Sequence, residues 1–436
     1  MYDPVSRREF IRSALAAGIA TPSLLSGAPS LLRGDEPAKP SKDKLNLGVI
    51  GVAAQGAYNL NNVSSENIVA LCDIDAGRLA EGAKKHPQAK TYDDYRRVLE
   101  HKELDGLVVA TPDHMHAFPA VQALRQGLAV YCEKPLAHSV WEIRQMRNLA
   151  REKKAVTQMG TQIHAGENYR RVVELVQAGA IGPVKRVHVW QANFVKPGKR
   201  AKEGEVPVPK GVSYDLWIGP APYRPFHPSH FHFDWRFWWD FGGGTLADIG
   251  CHYIDLPYWA LKLHAPTTVH CTKSEKGHDG DNDVPTFMQV EYQFPARGDL
   301  PPVHLTWYQG GWMPEGAEQY AKKSAILFEG DEGRLLADYS TRKVYLNNGK
   351  EAEMVPQTIP NSIGHHKEWI EAVKNKGTTT CNFEYSGELA ETVLLGNVSH
   401  RVGNKLLEWD SAKLAATNCP EAEQYLKREY RQGWVL

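Results

Sequence analysis

Leu45-Asn46-Leu47-Gly48-Val49-Ile50-Gly51-Val52-Ala53-Ala54-Gln55-Gly56 is a short apolar run that breaks into a glycine-bounded turn. A brief apolar run stopped by glycine reads as a buried strand, and Ala57 to Val63 read as the helix that follows. Asn67-Ile68-Val69-Ala70-Leu71-Cys72-Asp73 repeats the strand pattern and ends in an acid. Gly51 and Asp73 are 73 − 51 = 22 residues apart, the separation of a dinucleotide-binding fingerprint. In such a turn, Gly51, Ala53, Gln55 and Gly56 bring backbone N–H groups to a pyrophosphate at a helix start, where the dipole favours an anion. An acid at the end of the second strand can accept both ribose hydroxyls. Asp73, with Asp75 close by, repels a 2′-phosphate, so NAD is expected in preference to NADP. Ala53 departs from the glycine pattern, and its methyl group limits how closely the pyrophosphate can lie.

Working outward, the alternation of strand and helix continues. Leu104-Asp105-Gly106-Leu107-Val108-Val109-Ala110 reads as another buried strand and runs into Thr111-Pro112-Asp113-His114-Met115-His116. A helix from Phe118 to Gln126 follows, capped by Gly127. Leu128-Ala129-Val130-Tyr131-Cys132 then leads to Glu133-Lys134-Pro135. The fold class is therefore α/β, with a doubly wound parallel sheet in the N-terminal half. Ligands of such sheets bind at the carboxyl ends of the strands, and Asp73, Thr111, His116 and Lys134 all fall there. Pro135 biases Lys134 toward an extended backbone, so the lysine projects from the strand end; the alternative is a surface lysine paired to Glu133. His114 and His116 lack a third partner at metal-ligand spacing, and no metal is expected.

Trp238-Trp239-Asp240-Phe241-Gly242-Gly243-Gly244-Thr245-Leu246-Ala247-Asp248-Ile249-Gly250-Cys251-His252-Tyr253-Ile254-Asp255 is the second informative stretch. A helix is expected from about Thr245. Leu246, Ile249, Tyr253, Leu256, Ala260 and Leu263 recur at steps of three and four and form an apolar stripe. Asp248, His252 and Asp255 make a separate polar stripe, while Ala247, Gly250 and Cys251 leave a small face for close packing. Carboxylates beside a histidine on an apolar helix are costly to bury unless paired or used. A histidine there can take a hydroxyl proton, with the neighbouring acid fixing its tautomer and raising its basicity. Thr245 and Asp248 also fit a capping box, in which Asp248 holds the helix start.

Just upstream, Phe226-His227-Pro228-Ser229-His230-Phe231-His232-Phe233-Asp234-Trp235-Arg236-Phe237 is dense in aromatic residues. Aromatic faces pack on the C–H faces of sugars while polar neighbours bond hydroxyls, so Trp235, Arg236 and Asp255 are candidate substrate-binding residues. Core or subunit-interface packing is the competing reading for these aromatics.

The chain has 436 residues, with 51 Lys+Arg against 51 Asp+Glu. Balanced charge, and no basic cluster interleaved with aromatics, speak against nucleic acid. Ser6-Arg7-Arg8-Glu9-Phe10-Ile11-Arg12-Ser13 followed by the weakly apolar Ala14–Ala20 fits a twin-arginine export signal. The apolar run is too short for a stable membrane anchor. Export in a folded state through the twin-arginine machinery places the protein in the periplasm with a cofactor acquired beforehand. The six cysteines include no C-x-x-C pair, and Cys72 and Cys132 are expected to be buried thiols.

Gly51-x-x-x-x-Gly56, Asp73, Ala110-Thr111-Pro112, Glu133-Lys134-Pro135 and Gly-Gly-Gly followed by Asp248-x-x-x-His252 together resemble the glucose–fructose oxidoreductase, inositol dehydrogenase and rhizopine-catabolism (Gfo/Idh/MocA) oxidoreductases. The resemblance implies that Lys134, Asp248 and His252 are catalytic, and that Thr111, Pro112, His116, Glu133 and Gln162 line the cofactor with the glycine turn. A signal and linker are expected over 1–43, and the resemblance implies an NAD-binding Rossmann domain over 44–165 and a substrate and oligomerisation domain over 166–436. That second domain is an α+β unit with an open, mainly antiparallel sheet. Pro183–Asn193, Thr267–Ser274, Thr286–Phe294, Val303–Tyr308 and Ser324–Phe328 read as its strands, and helices begin at about His365 and Tyr385. A homodimer or homotetramer is expected. The implied activity is hydride transfer between NAD and a sugar, polyol or sugar derivative, with the cofactor retained. A redox-neutral glycoside hydrolase or epimerase working through a transient keto-sugar is the alternative, and a non-catalytic sugar-binding protein is a third reading.

Overall fold

Six parallel strands organise the N-terminal half of the computed structural model, which describes residues 43–192, 206–276 and 284–436. They are β1 (Asn46–Ile50), β2 (Asn67–Cys72), β3 (Lys90–Tyr92), β4 (Gly106–Val109), β5 (Ala129–Glu133) and β6 (Thr157–Gly160), in the order β3-β2-β1-β4-β5-β6. Every ladder in this sheet is parallel. The chain leaves β1 in one direction for β2 and later returns to its other side with β4. That reversal opens a crevice at the carboxyl ends. The buried runs of β1, β4 and β5 explain why they occupy the centre: both faces are covered, so alternation is lost. The first strand, its turn and the helix Gln55–Asn62 lie where the sequence places them, within two residues.

Nine further strands form the second sheet, in the order β13-β12-β11-β7-β10-β9-β8-β14-β15. Here β7 is Val184–Gln191, β8 Thr268–Glu275, β9 Phe287–Phe294, β10 Val303–Gln309 and β11 Ser324–Gly330. The rest are β12 (Gly333–Ala337), β13 (Arg342–Leu346), β14 (Leu407–Asp410) and β15 (Ala415–Ala416). Only the β7·β10 ladder is parallel; the others are antiparallel. The fold is thus a Rossmann sheet followed by a mixed, mainly antiparallel sheet.

The helix Gly244–Ala260 packs against β7 and β11 on one side and against helices Glu167–Gln177 and Phe383–Arg401 on others. All its residues except His252 and Trp259 are buried. The apolar stripe read from the sequence is real but not distinctive, because this helix is covered all round. Gly250 belongs to the expected small face: a Cβ there would lie 2.9 Å from Val393 of the neighbouring helix.

The cysteines are free thiols and all are buried, as expected for Cys72 and Cys132. No helix among the described residues is long and apolar enough to cross a membrane. The twin-arginine segment and most of its linker lie outside the described residues.

Candidate active site

The crevice is built first by close contacts of backbone. Gly51 has φ +79°, and a Cβ there would sit 2.5 Å from the Ala110 carbonyl oxygen; at Gly56 it would sit 1.9 Å from the Gly51 oxygen. Glycine is therefore required at both ends of the turn. Ala54 precedes the helix Gln55–Asn62 without a side-chain cap, so the helix start offers its N–H groups to an anion. Asp73 stabilises the turn from β2: Val52 N–H donates to its Oδ2 at 3.0 Å and Asp75 N–H to its Oδ1 at 3.1 Å. Burial raises the Asp73 carboxyl, against those two N–H donors. Asp75 itself caps the helix Ala76–Lys85 and meets His232 at 3.3 Å.

Deeper in the crevice, Glu133 ends β5 as a buried acid. Its Oε1 accepts three amides: Gln55 at 3.2 Å, Asn59 at 2.9 Å and Gln162 at 2.9 Å. Burial raises the Glu133 carboxyl, while these donors and Lys134 pull it down. Gln162 also donates to the Tyr131 hydroxyl at 2.9 Å. Tyr131 stacks on His366 at 4.7 Å, and His366 Nε2 donates to Asn59 Oδ1 at 3.0 Å. The ring of contacts is closed, and it fixes which way the Asn59 amide faces. On the turn after β4, which Pro112 introduces, His116 Nε2 donates to the Thr111 carbonyl at 2.8 Å. Burial pushes His116 down to about 4. The Thr111 hydroxyl is buried without a hydrogen-bond partner, an orphaned polar atom that a bound cofactor can satisfy.

Lys134 leaves β5 through a cis Lys134–Pro135 bond and pairs directly with Oδ1 of Asp248. Arg236 Nε reaches the same oxygen at 3.1 Å, its guanidinium lying 4.3 Å from the Trp235 ring centre and 4.6 Å from that of Phe233. Burial alone would raise the Asp248 carboxyl, but Arg236 and Lys134 outweigh it and hold it well below the carboxylate range. Asp113, on the turn after β4, is the second acid of this cluster. Burial pushes it up to about 7; Asp248 adds to the rise, and Lys134 and Arg236 oppose it. One helical turn beyond Asp248, burial and then Lys134 push the His252 imidazole down to about 3. It is neutral near pH 7, and its Nδ1 is buried without a partner.

Two family models match consecutive parts of the chain: the oxidoreductase-family NAD-binding Rossmann fold over residues 45–161, and the oxidoreductase-family C-terminal alpha/beta domain over 166–436. The chain belongs to the Gfo/Idh/MocA oxidoreductase family. Among relatives, it is 30% identical over 299 residues to inositol 2-dehydrogenase 2 of Saccharopolyspora erythraea, covering 61% of this chain and 76% of that protein. It is 30% identical over 150 residues to inositol 2-dehydrogenase of Salmonella typhimurium (strain LT2), 33% of this chain and 45% of that one. A glycosyl hydrolase family 109 protein of Stenotrophomonas maltophilia is 36% identical over 143 residues, 30% of this chain and 29% of that protein. The chain thus spans less than half the length of the Salmonella enzyme and of the hydrolase. Among solved structures, aldose-aldose oxidoreductase from Caulobacter crescentus, complexed with glycerol, aligns with TM-score 0.60 at 15% identity, covering 84% of this chain and 100% of that one. Levoglucosan dehydrogenase complexed with NADH and levoglucosan aligns with TM-score 0.58 at 17% identity, covering 84% and 99%. These two likenesses establish the fold.

Several sequence expectations for this Gfo/Idh/MocA member need correction. Asp248 does not cap its helix: Gly243 precedes the helix with no side-chain cap, and the carboxylate is committed to Lys134 and Arg236. For the same reason Asp248 does not hydrogen-bond His252; its charge does raise the basicity of that histidine, as expected, but burial and Lys134 outweigh it. Asp255 is 0% exposed. It accepts from His164 Nδ1 at 3.0 Å and from the Tyr385 hydroxyl at 2.7 Å, which withdraws it from any ligand. Trp235 is 5% exposed and sits in an aromatic cluster with Tyr214, Trp217, Phe226, Phe231 and Trp238, so its ring backs Arg236 instead of presenting a sugar platform. Two participants were missed by sequence reasoning: Asp113 and Asn59. Asp113 was visible as an acid at a strand end; nothing local marks Asn59.

Proposed function

We propose that the protein is an NAD-dependent oxidoreductase acting on a CH–OH group of a sugar, polyol or sugar derivative, with the cofactor held through the catalytic cycle. The observation that carries this reading is the meeting of Lys134 and Arg236 on one oxygen of buried Asp248, one helical turn from His252. The residues present fit a dinucleotide: an uncapped helix start, a turn closed to any Cβ at Gly51 and Gly56, an acid at the end of β2 and an orphaned Thr111 hydroxyl. Gly51, Ala53, Gln55, Gly56 and Asp73 would hold the adenosine and pyrophosphate end; Thr111, Pro112, His116, Glu133 and Gln162 would line the nicotinamide end. When bound, NAD supplies the hydride acceptor.

The chain's own groups then do the rest. Lys134, a cation fixed by Asp248, faces a substrate oxygen and stabilises negative charge developing there. Neutral His252 accepts the hydroxyl proton and returns it in the reverse direction. Asp248 orients the lysine through their ion pair and raises the basicity of His252 by its charge alone, without a hydrogen bond. Arg236, stacked on Trp235, prevents Asp248 from swinging away.

A redox-neutral second reading, glycoside cleavage or epimerisation through a transient keto-sugar, draws on the Stenotrophomonas glycosyl hydrolase relative. The twin-arginine segment supports export to the periplasm, where no exchangeable NAD pool is expected. Cofactor retention and a homodimer or homotetramer belong to the same reading. The test is to purify exported protein, denature it and identify the released nucleotide by mass. Sugars deuterated at each carbon are then screened for label on that nucleotide. Protein free of nucleotide and unable to take NAD up overturns the proposal; aglycone release from an aryl glycoside without added NAD selects the second reading.

A further inference from the structure

A separate cavity of about 30 Å³ is lined by His138, Trp239, Gly243, Asn397, Arg401 and Tyr425, among others, and no Asp or Glu is part of its wall. Such a volume holds a small ion or a water or two. The Arg401 guanidinium lies 5.0 Å from the Trp239 ring centre and 4.2 Å from that of Tyr425. Among the described residues it makes no hydrogen bond and no ion pair. The neighbouring acid, Asp240, is taken by Arg224 at 2.5 Å. Burial depresses the Arg401 cation, and Tyr425 and Asp240 offset this only in part.

One wall atom is unsatisfied and one feature gives the cavity a sign. His138 Nε2 is shut off from solvent without a hydrogen-bond partner, on an imidazole that burial pushes well down, so it adds no positive charge. Gly243, on the wall, opens the 17-residue helix Gly244–Ala260 with no side-chain cap, and Asn397 Nδ2 donates to its carbonyl at 2.8 Å. The other helix start on the wall is already closed, because Ser139 and Glu142 form a capping box. The unpaired positive charge therefore belongs to Arg401 and the Gly243 end. A half-buried guanidinium set against two rings, with the neighbouring acid already taken by Arg224, is costly unless an anion joins it.

We propose that this cavity is a binding site for a small monovalent anion, of halide or carboxylate type, with Arg401 as its principal ligand. Asn397 holds the Gly243 turn beside it. The site is distinct from the Lys134–Asp248 cluster and does not depend on the proposed activity.

Chloride-35 NMR of the purified full chain tests it without turnover. Saturable line broadening is expected, displaced by formate, with the dissociation constant raised about tenfold or more in Arg401→Met, as loss of a charge-assisted contact requires. Should Arg401→Met fold poorly by circular dichroism, Arg401→Lys keeps a cation on the same aromatic stack and is expected to retain weakened binding. Crystals grown in bromide locate the ion: an anomalous peak against Arg401 is the expected result. Broadening that never saturates, broadening equal in folded Arg401→Met, or a bromide peak only elsewhere overturns the proposal.

Discussion

Lys134 and Asp248 are 114 residues apart in the chain yet form a direct, nearly buried ion pair, with side chains 13% and 6% exposed. The lysine comes from the end of β5 in the cofactor crevice and the aspartate from a helix packed on the other sheet. One interaction thus joins the two halves of the site. Removing one partner of such a pair costs about 3–5 kcal/mol, because the other charge stays buried. Asp248→Asn is expected to lose stability on that scale in urea unfolding.

The pH dependence of the same pair has a definite sign. Lys134 and Arg236 hold the folded Asp248 carboxyl below its unfolded value, burial notwithstanding. Its stabilising contribution is fully present above the unfolded carboxylate pKa and is lost as pH falls toward the folded value. The wild type should therefore weaken in acid below about pH 4, and Asp248→Asn should weaken less steeply over that range. Parallel slopes for the two proteins would mean that Asp248 is not depressed.

Catalysis separates the roles of Lys134 and His252. Lys134→Ala and His252→Ala are each expected to lower label transfer from a deuterated substrate by about 10²-fold or more. Both should keep their bound nucleotide, because neither residue belongs to the glycine turn or the Glu133 network. Wild-type rates in either variant would remove that residue from the mechanism. Because burial keeps His252 neutral down to about pH 3, its protonation should not produce an acid limb in the rate profile between pH 5 and 8.

How far the sequence reveals this site depends on how local each feature is. Gly51, Gly56 and Asp73 are legible because strand, turn and acid are consecutive, and at the two glycines the backbone leaves no room for a Cβ. Lys134 and Asp248 are legible only as polar groups at element ends; their meeting follows from the packing of two sheets. Arg236 is visible, but its partner is not, since an aromatic segment such as 226–241 looks the same whether it stacks on sugars or, as here, on itself. Asp255 misleads for a related reason: periodicity puts it on the stripe with Asp248, while His164 and Tyr385 arrive from distant segments. The i, i+4 spacing of Asp248 and His252 permits a hydrogen bond but does not enforce one.

Cofactor affinity should depend on His366, although it lies 307 residues from Asn59. His366 donates to Asn59, leaving the Asn59 amide to donate to Glu133. Without that anchor the amide is free to rotate and Glu133 loses a donor. His366→Ala and Asn59→Leu are each expected to weaken NAD binding about tenfold, the net value of a hydrogen bond to a charged group. His366→Gln, which keeps a donor, should restore most of it. Wild-type affinity in titration calorimetry of the His366→Ala and Asn59→Leu apoproteins would reduce the ring of contacts to packing.

Asp113 gives the opposite pH signature to Asp248. Burial lifts its folded value to about 7, while the unfolded chain ionises near the ordinary aspartate value of about 4. Between these limits the folded state binds more protons, so stability falls as pH rises from about 4 to 7 and is flat beyond. Asp113→Asn cannot ionise and should remove that decline, which makes the variant more stable than the wild type at neutral pH. The effect of Asp113 on turnover follows from its neighbours: once ionised, it adds a second carboxylate beside Lys134 and Asp248 and reduces the positive potential offered to a substrate oxygen. A rate limb near pH 7 in the wild type, absent in Asp113→Asn, is the expected kinetic counterpart. Identical unfolding curves for the two proteins from pH 4 to 7 would show instead that Asp113 ionises normally in the folded protein.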